Sequence, residues 1–65
     1  MLELDEDFVG CVVHSRAMPY LDGRVVTKTV KKLKCKNRNA FLYEVELDGA
    51  KKHYYLYKEE MRGQK

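Results

Sequence analysis

Apolar residues in this chain recur at every second position more often than at every third or fourth, the pattern of strands with one buried face. Residues 8–16 (FVGCVVHSR) read as a first strand, with Val9, Cys11 and Val13 on one side and Phe8, Val12 and His14 on the other. Gly10 marks a bend or bulge within it. Residues 17–23 (AMPYLDG) form a loop. Pro19, the single proline, argues against helix there, and Asp22-Gly23 is a turn signal. Residues 24–36 (RVVTKTVKKLKCK) predict a long second strand. Val26 and Val30 share one parity, Leu33 and Cys35 the other, so a bulge or sharp bend at Lys31-Lys32 is needed to keep both pairs on one face.

Asn37-Arg38-Asn39-Ala40 is a hairpin loop, since Asn tolerates positive φ. Residues 41–47 (FLYEVEL) alternate cleanly and read as a third strand. Asp48-Gly49 is a two-residue hairpin signal, and residues 51–57 (KKHYYLY) return as the fourth strand. Residues 58–62 (KEEMR) suit one turn of helix, and the ends at 1–6 and 63–65 are expected to fray. The expectation is a single all-β domain over residues 1–65. It is a small SH3-like barrel, or a strongly curled antiparallel sheet of four to five strands, with a short C-terminal helical turn.

The Asp-Gly turn fixes an expected register. Pairing Leu47 with Ala50 sets Val45 opposite Lys52, Tyr43 opposite Tyr54 and Phe41 opposite Leu56 on the core side. On the outer side, Glu46 then faces Lys51, Glu44 faces His53 and Leu42 faces Tyr55, with Tyr57 beyond. A five-residue first loop pairs Cys35 with Phe41 and Leu33 with Tyr43. Lys34 then lies opposite Leu42 and Lys32 opposite Glu44, also on the outer face.

Charge sharpens this picture. The chain of 65 residues has 13 Lys and Arg against 10 Asp and Glu, a net +3, but the charges are segregated. Glu3, Asp5, Glu6 and Asp7 occupy the first seven residues with no base among them. Arg24, Lys28, Lys31, Lys32, Lys34, Lys36 and Arg38 occupy 24–38 with no acid among them. A local block of one sign sets up a field that favours an anionic partner, whatever the total charge. Lysines beside outward tyrosines suit nucleic acid, because phosphates meet the ammonium groups and bases stack on the rings. The expected contact set for DNA or RNA is Lys28, Lys31, Lys32, Lys34, Lys36, Arg38, His53, Tyr55 and Tyr57. Cross-strand pairs of Glu44 and Glu46 with lysine would neutralise part of this stripe as ordinary sheet stabilisers. The alternative function is a protein-interaction module, a regulator, inhibitor or adaptor docking through Leu42, Tyr55 and Tyr57. Such a chain is a monomer or, through a strand edge, a weak homodimer.

Catalytic equipment is thin. Cys11-x-x-His14, with Cys35 and His53, lacks the short paired spacings of a zinc site, and Cys11 and His14 diverge on a regular strand. His14 and Ser15 are adjacent and cannot face each other. The glycines are isolated, so no phosphate loop exists. The expectation is a non-enzyme without metal or cofactor. Two cysteines are too few for a secreted disulfide scaffold, so both are expected reduced and buried. No apolar run approaches 18 residues and the acidic start is no signal peptide. The expected compartment is the cytoplasm, or the nucleus of a eukaryote.

Asp7-Phe8-Val9-Gly10, Gly23-Arg24-Val25-Val26, the hairpin Phe41 to Gly49, Tyr54-Tyr55-Leu56-Tyr57 and Lys58-Glu59-Glu60-Met61 together resemble the SH3-like barrels of the Tudor and chromo type. The order is first strand, loop, bent strand, meander hairpin and one-turn cap. The resemblance implies either an aromatic cage for a modified peptide or a nucleic-acid site on the outer sheet. Cage candidates are Tyr20, Tyr43, Tyr55 and Tyr57, although the chain has no Trp, the strongest cation-binding ring. Barrels of this look also serve as small regulators on larger enzymes, and a phage or mobile-element accessory factor fits equally.

Overall fold

The computed structural model describes residues 4–64. Five antiparallel strands form two sheets: β1 (Cys11–Val13) with β5 (Met61–Gln64), and β2 (Val26–Lys34), β3 (Phe41–Leu47) and β4 (His53–Tyr57) in the order β2-β3-β4. The sheets meet where β1 touches the start of β2. Val12 bridges Val25, the Val13 N–H donates to the Arg24 carbonyl at 2.8 Å, and the Gly10 N–H donates to the Val26 carbonyl at 2.9 Å. The all-β expectation is therefore met, but the strands do not close into a barrel.

The first strand is shorter than its sequence pattern. A turn closes from the Cys11 N–H to the Phe8 carbonyl at 2.9 Å, with Gly10 at φ 92°. That φ is cheap for glycine and costly for any side chain. The reversal puts Phe8 in the core beside Val13, where alternation had set them on opposite faces. Pro19–Leu21 forms a single 3-10 turn that drives Leu21 inward. The expected C-terminal helical turn over 58–62 is absent. A three-residue 3-10 turn, Lys58–Glu60, instead links β4 to β5, and Met61 enters the core. The Tyr57 N–H donates to the Glu60 carboxylate at 2.9 Å and fixes this link.

Both hairpin registers differ from expectation. In the second, the Ala50 N–H does donate to the Leu47 carbonyl at 3.1 Å and Gly49 takes φ 76°, so the Asp-Gly turn forms. Lys51 and Lys52 lengthen the connection, and Tyr43 lies opposite Leu56, Glu44 opposite Tyr55 and Glu46 opposite His53. This is a slip of two residues, which preserves faces. The first hairpin slips by one. Cys35 N–H donates to the Ala40 carbonyl at 3.0 Å, and Lys34 lies opposite Phe41, Leu33 opposite Leu42 and Lys32 opposite Tyr43. A one-residue slip exchanges faces. Lys32 and Lys34 therefore lie on the side of Phe41 and Tyr43, and Leu33 and Lys31 take the open face. The bulge expected at Lys31-Lys32 is found at Thr29–Lys31, with a second between Val26 and Lys28. These two irregularities bring Val26 and Thr29 back to the core side.

The core joins Phe8, Val13 and Leu21 to Val26, Tyr43, Val45, Leu47, Leu56 and Met61. Phe8 meets Tyr43 edge-on, with ring centroids 4.6 Å apart. Cys11 and Cys35 are free thiols, as expected, but only half-buried. Of the ends expected to fray, residues 1–3 and 65 lie outside the described residues; Asp5 and Glu6 make ion pairs, and residues 63 and 64 belong to β5. Among the described residues no helix is long and apolar enough to cross a membrane.

Candidate nucleic-acid interface

The basic strand divides into a neutralised middle and an unpaired end. Lys32 Nζ donates to both oxygens of Asp5, at 3.2 and 3.1 Å, and its side chain is only 13% exposed. Lys31 Nζ lies 3.5 Å from Glu44 on the open face. Beyond them, Lys34, Lys36 and Arg38 are exposed, and none has a carboxylate partner among the described residues. The reason is local: Asn37, Asn39 and Ala40 complete the loop, so no acid is close in sequence.

Aromatic rings lie on both sides of that end. Phe41, 37% exposed, has Lys32 Nζ 4.2 Å and Lys34 Nζ 5.7 Å from its ring centroid. Arg38 lies on Tyr57 with Cζ 5.2 Å from the centroid, and its Nη1 donates to the Tyr57 hydroxyl at 3.2 Å. A flat guanidinium on a ring face combines charge–quadrupole attraction with stacking. Tyr55, half-exposed, shares the open face with Tyr57 but lies further from the loop.

The expected set is thus only partly assembled. Lys34, Lys36, Arg38 and Tyr57 gather at the hairpin end. Lys28, opposite Glu46, and His53 lie toward the other end of the sheet. Lys32 and Lys34 do not join Tyr55 and Tyr57 on the outer face. The four cage tyrosines do not converge either: Tyr43 is buried against Phe8, Tyr20 pairs with Tyr54 at 6.4 Å, and Tyr55 and Tyr57 occupy the opposite face. Sequence reasoning missed Phe41, assigned to the core, and Lys58, whose Nζ donates to Glu6 at 2.9 Å. The complementary charge blocks were a usable signal for the ion pairs. Phe41 keeps its core-side parity, but the β3–β4 pairing ends at Leu42 opposite Tyr57 and leaves its ring without a β4 partner.

The acidic segment is anchored as well as paired. The Asp7 carboxylate accepts from the Thr29 hydroxyl at 2.9 Å, and the same hydroxyl accepts the Phe8 N–H at 2.9 Å. Lys32 holds the Asp5 carboxyl below its ordinary range, and Asp5 in turn raises Lys32; Glu6 raises Lys58 likewise.

A second charged cluster lies on the open face. His53 Nδ1 donates to Glu44 at 2.6 Å, and its Nε2 lies 3.2 Å from Glu46. Glu44 is buried to 8% exposure. The bond from His53, followed by Lys31, keeps its carboxyl below the ordinary value of 4.5. A carboxyl that titrates lower folded than unfolded favours the folded state above its ordinary pKa, and that contribution disappears as pH falls through the depressed value. Glu44→Gln should therefore lower the melting temperature at neutral pH. The difference from wild type should shrink as pH falls through the carboxylate range and disappear below the depressed value of Glu44. Melting curves of the two proteins across pH check this, and a difference independent of pH would contradict it.

His14, Arg16, Asp22, Glu59 and Arg62 line an open cleft of about 690 Å³. His14 Nδ1 lies 3.9 Å from Asp22 there, and Cys11 takes no part in it. The chain matches no protein-family model, no curated protein and no solved structure.

Proposed function

We propose that this protein is a small non-enzymatic module that binds single-stranded nucleic acid through the end of the β2–β3 hairpin. The observation that carries the reading is the group Lys34, Lys36 and Arg38, exposed and without carboxylate partners among the described residues, set between Phe41 and Tyr57. The three cations would displace condensed counterions from the phosphates, and bases would stack against the rings. Exposed rings at the hairpin end suit unstacked bases, which a duplex does not present. The order of elements, with its bent second strand, meander and single turn before the last strand, supports the resemblance to SH3-like modules of the Tudor and chromo type.

Backbone amide shifts on titration with a labelled mixed-sequence single strand test the site directly. Residues 34–41 and Tyr57 should shift together, and a duplex of the same sequence should shift them less. A second reading rests on Leu33, Leu42, Tyr55 and Tyr57, which share the open face of the sheet. Aromatic side chains are enriched in protein interfaces, so a protein partner docking there is the alternative. Hairpin amides that stay fixed at saturating oligonucleotide would favour it.

A further inference from the structure

The two charge blocks of the sequence meet in the fold, and where they meet lies a notch. Lys32 Nζ is 4.2 Å from the Phe41 centroid and 6.0 Å from that of Tyr43. Lys58 lines a shallow cavity of about 200 Å³ with Asn39, Ala40, Phe41, Tyr43 and Glu59. An ammonium group from β2 and one from the 3-10 turn after β4 thus flank one aromatic corner, Phe41 and Tyr43, beside the hairpin end. Their present partners are Asp5 and Glu6, at 3.1 and 2.9 Å. Asp5 feels both lysines: Lys32 dominates the lowering of its carboxyl through a hydrogen bond, and Lys58 adds to it. At Lys32 the anion is outermost: Asp5 is 59% exposed over a lysine side chain that is 13% exposed, so a competing anion can displace it without disturbing the core. The Lys58–Glu6 pair lies at the surface, with Lys58 60% and Glu6 38% exposed, so Lys58 is open to a competing anion directly.

We infer that Lys32 and Lys58 form a phosphate-binding notch beside Phe41 and Tyr43, which Asp5 and Glu6 fill in cis. The notch extends the hairpin site, so the inference rests on the nucleic-acid reading above. In the free protein the acidic segment supplies the anions. A bound strand replaces them with phosphates and continues from Lys34, Lys36 and Arg38 onto Lys32 and Lys58. The acids at 5 and 6 then set the affinity threshold, because each phosphate that enters must displace a carboxylate. Asp7, held by Thr29, stays in place and keeps the segment attached.

The test uses the full chain and an oligothymidylate single strand. Asp5→Asn with Glu6→Gln should tighten binding with the slope of log affinity against log salt little changed, because the same phosphates are contacted with or without the acids. Adding Lys32→Gln and Lys58→Gln should cancel the gain and flatten the slope by about 1.4, two phosphates at about 0.7 each for a single strand. Asp22→Asn with Asp48→Asn makes the same change in net charge away from the notch and should give no comparable gain in affinity. An equal gain from that control pair would overturn the notch, since the effect would then be general charge. So would unchanged binding by the Asp5/Glu6 variant while neutralising the hairpin cations still weakens it, which leaves the hairpin reading intact. No binding by any of these proteins would overturn the nucleic-acid reading and the notch together.

Discussion

Leu56→Ala is expected to leave the protein mostly unfolded at room temperature. Leu56 is fully buried on β4 opposite Tyr43, one of nine buried apolar side chains among the described residues. Truncating a buried leucine costs about 2–5 kcal/mol, the sum of lost transfer energy and an unfilled cavity. A chain this short draws no more than about 3–5 kcal/mol from a single core without disulfides or metal. The loss therefore matches the whole margin. Tyr55→Ala, one residue away and half-exposed on the open face, should lower stability by less than about 1 kcal/mol. Urea unfolding followed by circular dichroism separates the two variants. A cooperative transition in Leu56→Ala close to that of wild type would mean that the core is not where the fold places it.

The second large effect is on binding. Replacing Lys34, Lys36 and Arg38 together with alanine should abolish binding to a single strand at physiological salt. Each cation that meets a phosphate contributes about 0.7 to the salt slope, so the slope should flatten by about 2. Arg38 carries a further role, because its guanidinium lies on Tyr57 and bonds its hydroxyl. Arg38→Lys keeps the charge but loses the planar stack and should weaken binding without changing the slope. The three side chains are exposed and make no core contact, so the variant should melt as wild type does. Unaltered affinity in the triple variant would exclude this end of the hairpin as the site.

The strands were largely legible from alternation. Tyr43, Val45, Leu47 and Leu56 fall on the core side as their parity required, and a two-residue slip in the β3–β4 pairing left that intact. Loop length was not legible. Asp48-Gly49 made its turn, yet Lys51 and Lys52 extended the connection, and nothing in either lysine announces this. The four-residue loop between Cys35 and Ala40 had the larger consequence. It moved Lys32 and Lys34 across the sheet and broke up the expected basic outer face. The fifth strand escaped because Met61-Arg62-Gly63-Gln64 has one apolar residue and no alternation. Its place is set by Met61 in the core and by pairing with β1. The charge blocks at 3–7 and 24–38 were plain in the sequence; that they pair within the chain needed the turn at Gly10, which aims the acidic segment across β2.

The most direct test of the central claim is titration of the wild-type protein with a labelled mixed-sequence single strand and its duplex, at low and physiological salt. The hairpin site predicts binding that weakens steeply with salt, persists at physiological salt and favours the single strand. No binding to either nucleic acid at low salt would contradict it and show the cations of the β2–β3 hairpin to be a solvated end of the sheet.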